Sequence, residues 1–537
     1  MLPVSPVRTF TDTFAGVPMP VSTRTFRPLP FLLSLLLSGL TLAAGCALQA
    51  PASADLPADR PAASGASTAV AADAQNGTDH AGARDAVRET APDAAGRPPL
   101  FERTLPNGMQ VIVREDHRAP TAVHLVLYQV GGVDEPGGRT GISHMLEHMM
   151  FKGTTAHPAG EFSRIVAALG GRENAFTSGD YTGYFQQIGA QHLAEVMRLE
   201  ADRMSSLLLT SGEFEPELRV VMEERRMRTE DQPHALVYEQ FRAQAFLASA
   251  VRQPVVGWFS DLQALTVDKV RAWYQDWYTP SNAVVIVAGD VRADDVWALA
   301  QQTYGRVPAH AVPARNPLDE PAQRGPRRSE VKAPAKNPYV IMGFRVPRLE
   351  NPETDREPYA LEVLAAVLDA DENGRLTRNV VRATRVANQV GAGYGLVARG
   401  PGLFVLDGTP AEGHTTADVE QALRAELTRI AQQPVAAEEL ERIKTQYVAG
   451  KIYERDSIMA QAMQIGALRM RGFSPADADR ILERIQAVTA DEVQAVAHKY
   501  FSSDDALTVT TLVPQASAGP DGAQDAGHQT GNGAGIR

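Results

Sequence analysis

The chain predicts an α+β protein built as two tandem homologous domains, each a mainly antiparallel sheet with helices packed on it. Three observations carry this expectation. The first is an internal repeat: Leu262–Trp273 and Ile485–Val496 share Gln-Ala, Thr, Asp, Val and Ala at matched positions. The second is that each copy continues alike, through an aromatic pair (Trp277-Tyr278 or Tyr500-Phe501), a short polar turn and an apolar run (Ala283–Ala288 or Ala506–Val513). The unit is thus a capped helix followed by a strand. Thr266 and Thr489 are the natural N-caps, and Glu492 completes a capping box with Thr489. The third is the offset of about 220 residues, which is the size of a domain rather than of a solenoid repeat.

In chain order, the first expected element is a targeting segment, 1–46. Arg24 and Arg27 precede the apolar stretch Phe31–Leu42, which is too short for a stable membrane span and runs into small residues. It closes on Leu42-Ala-Ala-Gly-Cys46, similar to a bacterial lipoprotein signal, with the leucine one position early. Three readings stand side by side: a lipid anchor on Cys46 holding the protein to the outer membrane, ordinary cleavage near Ala47, or an inert thiol. The first two place an exported chain on the periplasmic side of a bacterium. Met19 is an alternative start. Residues 47–98 are rich in Ala, Pro, Asp, Ser and Gly and are expected to be a flexible tether, as is the tail 515–537. Cys46 is the sole cysteine, so an internal disulfide is excluded.

The first domain is expected over 99–315 and the second over 338–514. Between them lies a linker, 316–337, where Pro, Arg and Lys accumulate and apolar periodicity lapses. His124–Val130 and Tyr339–Phe344 open the two copies as strands. Trp273, Tyr274, Trp277 and Tyr278 fall at helical spacing and are expected in the core; His117, His157, His192 and His498 are read as surface or packing residues. A net charge of −12 and the lack of a phosphate-cradling glycine loop argue against nucleic acid as a partner.

The chemistry concentrates in His144-Met-Leu-Glu-His148. Residues four apart stack on one helix face, so both imidazoles can reach a single ion. Glu147 sits one position off that stripe, close enough to touch a water at the ion without being a ligand. The order is H-x-x-E-H, the reverse of the commoner zinc-protease helix. A hydrolytic zinc site needs a third protein ligand and an open fourth position. Glu217 and Glu224, two helical turns apart on a charged helix, share a face; one carboxylate could complete the site while the other orients an imidazole. Asn174-Ala-Phe-Thr177 follows Gly170-Gly171 and reads as a strand. It is either an edge open to an extended peptide or an ordinary core strand with Phe176 packed inward.

These runs together resemble the pitrilysin family of inverted-motif zinc peptidases, most closely the shorter branch that includes the mitochondrial processing peptidase. The matching segments are Leu105–Val113, Gly141–Thr154, Glu173–Tyr184, Val220–Glu224 and Pro254–Trp258, in order. The resemblance spans roughly residues 100 to 515. It implies one Zn2+ per chain on His144, His148 and Glu224, with Glu217 as acidic companion and Glu147 as general base. It further implies an endopeptidase acting on peptides or unfolded segments, whose cleft is lined by Asn174, Ala175, Phe176 and Thr177. The alternative is a non-catalytic or partner-dependent subunit, since the family includes members that keep the fold and lose the chemistry.

The second copy has Tyr359–Leu368 where the first has its histidine helix, with no histidine. Catalytic relatives often carry an Arg and a Tyr in a later stretch of the second domain, resembling Gly374 to Gly393, and these hold the substrate carbonyl. Here the tyrosine position falls on Asn388 and the arginine position near Val381 or Arg382, with Arg382, Arg385 or Tyr394 as substitutes. The resemblance therefore implies a second pitrilysin-like subunit, or else a homodimer.

Overall fold

The computed structural model describes residues 88–89 and 100–515. The expected signal segment with Cys46, the tether apart from Arg88 and Glu89, and residues 516–537 of the tail lie outside the described residues. Among the described residues no helix is long and apolar enough to cross a membrane.

Two sheets organise the chain. The first holds β1 (Arg88–Glu89), β2 (Phe101–Thr104), β3 (Gln110–Glu115), β4 (Thr121–Tyr128), β5 (Arg172–Thr177), β6 (Thr182–Gly189) and β7 (Ala283–Gly289), in the spatial order β1-β2-β3-β7-β4-β6-β5. The second holds β8 (Arg327–Pro334), β9 (Tyr339–Arg345), β10 (Ala387–Tyr394), β11 (Leu403–Pro410) and β12 (Leu507–Gln515), in the order β10-β11-β9-β12-β8. Read from the other edge, the second sheet is β8-β12-β9-β11-β10, which matches β3-β7-β4-β6-β5 place for place. The pairs β3–β7 and β8–β12 are parallel and the other pairs antiparallel. The repeat read from the sequence thus extends to topology. Its helices are Val267–Trp277, capped by Thr266, and Ala490–Phe501, whose Thr489–Glu492 capping box forms as expected.

The apolar runs of β4 and β7 are continuous because both faces of the first sheet are covered. Ala122, Val126, Tyr128, Val285 and Val287 point into one core with the histidine helix, Trp273 and Trp277. The alternate residues Val123, Leu125, Leu127, Val284 and Ile286 meet Ala462 and Ile465. Those last two belong to the helix Ile458–Met470, which comes from the second half of the chain. A Cβ on Gly466 would lie 2.3 Å from Leu127 Cδ1, so glycine is what lets this helix sit so close. The loan is returned. The helix Pro233–Ala245 of the first half lays Val237, Phe241 and Ala245 against Ile341, Val405 and Leu512 of the second sheet. Each sheet is therefore roofed on one face by a helix from the other half, an exchange that amphipathic spacing does not reveal.

One expectation needs correction. The segment 316–337, read as linker, contains β8, paired with β12 over its full length. β8 is an edge strand carrying Arg327, Arg328, Glu330 and Lys332, so it lacks the apolar alternation by which strands are recognised. The residues before it are also held: the buried carboxylate of Glu320 accepts the backbone N–H groups of Leu247, Ala248 and Ser249 at 2.7–2.9 Å.

Candidate metal centre

The helix Ile142–Met149 is only two turns long, and its start is fixed from outside. Gly141, at φ +84°, offers no side-chain cap. The buried Glu135 carboxylate takes that place, accepting the N–H of Gly141 at 2.7 Å and of Ser143 at 2.8 Å. Gly257, at φ +88°, packs so tightly that a Cβ would lie 2.4 Å from the Thr140 carbonyl oxygen. Beside it the Thr140 hydroxyl donates to Asp261 at 2.7 Å and accepts the Trp258 N–H at 2.9 Å. This contact explains the Pro254–Trp258 motif. Gly257→Ala is expected to destabilise the protein by about 2 kcal/mol or more, combining left-handed strain with a backbone clash. Thermal melting of the purified variant checks it.

On that helix Met145, Leu146 and Met149 enter the core, while His144 and His148 stand with ring centroids 4.7 Å apart. The helix Ser211–Arg225, capped by Thr210, brings Glu224 opposite them. Glu224 Oε2 lies 3.2 Å from His148 Nε2 and 3.6 Å from His144 Nε2, and one donor atom from each of the three residues falls within 4.8 Å of the others. Donors about 2.0–2.1 Å from a tetrahedral zinc stand about 3.3 Å from one another, so the spacing suits that ion.

The electrostatics agree. Burial, with the neighbouring His148 adding to it, pushes His144 down to about 3, so its imidazole is neutral at physiological pH and has a lone pair to give. Burial alone would raise Glu224, but the His148 hydrogen bond and the fields of His144 and Arg228 outweigh it and hold the carboxyl at about 2. The neutral His144 imidazole, the His148 ring beside it and a carboxylate converge on one point, a set of electron-pair donors that a divalent cation satisfies.

The surrounding side chains orient this set. Glu217 Oε1 sits 2.8 Å from His148 Nδ1, and Lys152 Nζ sits 2.5 Å from Glu217 Oε2. A carboxylate on the far nitrogen fixes the imidazole tautomer and turns Nε2 toward the centre. A π-helical turn, Arg226–Glu230, follows the glutamate helix and folds Arg228 back onto Glu224 Oε1 at 2.6 Å. Glu147 is buried, and burial raises its pKa against the opposing hydrogen bond from the Thr177 hydroxyl, 2.6 Å from Oε2.

Of the residues expected along a cleft, all four lie on β5, the edge strand of the first sheet. Thr177 reaches Glu147, Ala175 is buried on the same face, and the Asn174 side-chain oxygen accepts the Ala175 N–H at 2.8 Å. Phe176 turns to the opposite face, against Tyr181. Sequence reasoning missed Glu135, Lys152 and Arg228. Arg228 had a signal, a Glu-to-Arg spacing of four; Glu135 had none, because it reaches the helix through a turn.

In the second half the corresponding helix is Glu357–Leu368, where Glu362 receives the Tyr447 hydroxyl at 2.9 Å. Asn388 donates to the Pro410 carbonyl, Arg382 pairs with Glu372 at 2.8 Å, and the Tyr394 hydroxyl is spent on the Pro347 carbonyl. Arg385 is exposed and, at φ +55°, holds a left-handed conformation.

Residues 110–257, which contain the whole centre, match the family model described as Insulinase (Peptidase family M16), and residues 264–447 match that described as Peptidase M16 inactive domain. The zinc protease PqqE of Helicobacter pylori is 30% identical over 415 residues, covering 76% of this chain and 91% of the relative. The chain belongs to peptidase family M16. An uncharacterized zinc protease of Streptomyces coelicolor is 29% identical over 413 residues, covering 76% of this M16 chain and 88% of its own. Among solved structures, a protease from Helicobacter pylori superposes with a TM-score of 0.73 at 28% identity, over 77% of this chain and 99% of the other. The periplasmic protease PqqL of Escherichia coli shares the fold, with a TM-score of 0.67 at 19% identity, over 80% of this chain and 48% of that one. Membership, with relatives named zinc proteases, supports a peptidase-family role, and the two-domain α+β expectation holds.

Proposed function

We propose that this chain is a zinc-dependent endopeptidase whose single Zn2+ is held by His144, His148 and Glu224. The observation that carries the reading is the convergence of those three donors, all within 4.8 Å of one another, beside the buried Glu147. Zinc bound there supplies Lewis acidity, polarising a peptide carbonyl and acidifying water. Glu147 takes the proton from the attacking water on its carboxylate and delivers it to the leaving amine. Thr177 aims that carboxylate, and Glu217, backed by Lys152, holds His148 in its liganding tautomer. The open edge of β5 accepts an extended peptide as an added strand along Asn174, Ala175, Phe176 and Thr177.

Two further readings belong to the proposal. Asn388, Arg382 and Tyr394 are engaged within their own half, which favours a second pitrilysin-like chain, or a second copy, as the source of carbonyl-holding groups. The targeting segment ending at Cys46 supports an exported protein on the periplasmic side, tethered through lipid. We assign the first domain to 99–315 and begin the second with β8, at Arg327, rather than at 338.

The test is metal analysis of the purified chain together with chelator-sensitive cleavage of unstructured peptides, with and without a co-expressed partner. About one zinc per chain and cleavage abolished by chelation are expected; cleavage that survives complete zinc removal overturns the reading. His148→Ala is expected to lose both the metal and at least 100-fold in rate, measured by the same two assays.

A further inference from the structure

The half that supplies no metal-site donor reaches into the frame of the metal centre. Arg399 lies in the loop between β10 and β11, and its guanidinium clasps Asp134 in a two-bond fork, Nη1 to Oδ2 at 2.9 Å and Nη2 to Oδ1 at 2.8 Å. The same residue holds Asp180: its backbone N–H meets the carboxylate oxygens at 3.1 and 3.2 Å, and Nη1 also donates to the Asp180 carbonyl at 3.1 Å. Arg471, just beyond the helix Ile458–Met470, adds Nε to Asp180 Oδ2 at 2.7 Å.

Both targets lead to the centre within a few residues. Asp134 adjoins Glu135, whose carboxylate starts the histidine helix. Asp180 belongs to the turn between β5 and β6, which follows directly on Thr177, the partner of Glu147. The two segments are also stitched together, Gly132 N–H to Ser178 carbonyl at 3.1 Å and Val133 N–H to Gly179 carbonyl at 2.9 Å, and a Cβ on Gly131 would lie 2.5 Å from the Ser178 oxygen. The Asp134 side chain is 1% exposed and that of Asp180 6%, so these charge-assisted bonds form away from water, where they are strong and geometrically exacting.

We propose that Arg399, seconded by Arg471, is a positioning residue: it locks the segment that starts the histidine helix to the turn that aims Thr177 at Glu147. The second half thereby sets the geometry of a site to which it gives no ligand. The proposal rests on the catalytic reading of the centre only for its kinetic consequence; the mechanical coupling stands apart from it.

The test uses the full-length, zinc-loaded chain. Amide hydrogen exchange read by mass spectrometry is compared for wild type, Arg399→Ala, Arg399→Lys and Arg469→Ala. Arg469 also bridges the halves, but to Gln110 and to Glu102 (2.9 Å) on β3 and β2, away from both segments. In Arg399→Ala, residues 132–143 and 178–181 are expected to exchange about tenfold faster at equal zinc content, with β4 and β7 unchanged, and kcat per bound zinc to fall about tenfold with little change in KM. Arg399→Lys, which restores charge without the fork, recovers part of both. Arg469→Ala leaves both at the wild-type level. Unchanged protection in the two segments overturns the proposal, as does loss spread evenly over all strands. A wild-type chain that binds zinc and cleaves nothing overturns the proposed function, and the exchange pattern alone then decides the role of Arg399.

Discussion

Glu147→Gln is expected to keep its zinc and lose peptide hydrolysis by about 10²–10⁴-fold, the usual contribution of a positioned general base. Glutamine has nearly the same shape, and its amide oxygen still accepts the Thr177 hydroxyl that now sits 2.6 Å from Glu147 Oε2. Neither the helix nor the three converging donors, His144, His148 and Glu224, depend on the charge of residue 147. What disappears is a carboxylate able to receive a proton in a buried setting. Metal analysis and cleavage of a fluorogenic peptide, run on the same preparation, separate the two properties. Residual turnover within a factor of ten of wild type would remove Glu147 from the role. Loss of the metal would instead show that the residue supports the ligands rather than the proton transfer.

Phe241→Ala is expected to cost about 3–5 kcal/mol and to loosen the sheet of the opposite half. Phe241 is fully buried, and its ring stands so near β9 that a Cβ on Gly343 would lie 2.7 Å from its Cζ. Removing the ring opens a void among Ile341, Val405 and Leu512, none of them in the half that contains residue 241. Urea unfolding gives the size of the loss, and hydrogen exchange on β9 and β12 gives its location. A cost under about 1 kcal/mol, or early exchange confined to the first sheet, would contradict the mutual roofing of the sheets.

Much of this was legible along the chain. Thr266 and Thr489 mark the repeat because an N-cap is a local event, settled by a hydroxyl and an N–H three residues on. The H-x-x-E-H run and the glutamates at 217 and 224 are legible because helical geometry turns spacing into proximity. What escaped was decided between distant segments. An apolar stripe on residues 233–245 says that the helix packs, not which sheet it covers. β8 is a strand through its partner β12, while its own alternation is one of charges. Asp134, Arg399 and Asp180 meet through loops, and a loop contact has no period to read.

The borrowed helices bear on how such a chain could have arisen. A lone ancestral copy with this topology would leave one sheet face bare, since the helix able to cover it points away. Two such copies related by a dyad, each lending that helix to its twin, would close both cores at once, as in a swapped dimer. Joining the twins end to end would leave the lending intact and free the halves to differ, one now carrying the imidazole pair and the other the Arg399 guanidinium that grips Asp134. Separating the halves again would strand each without its cover.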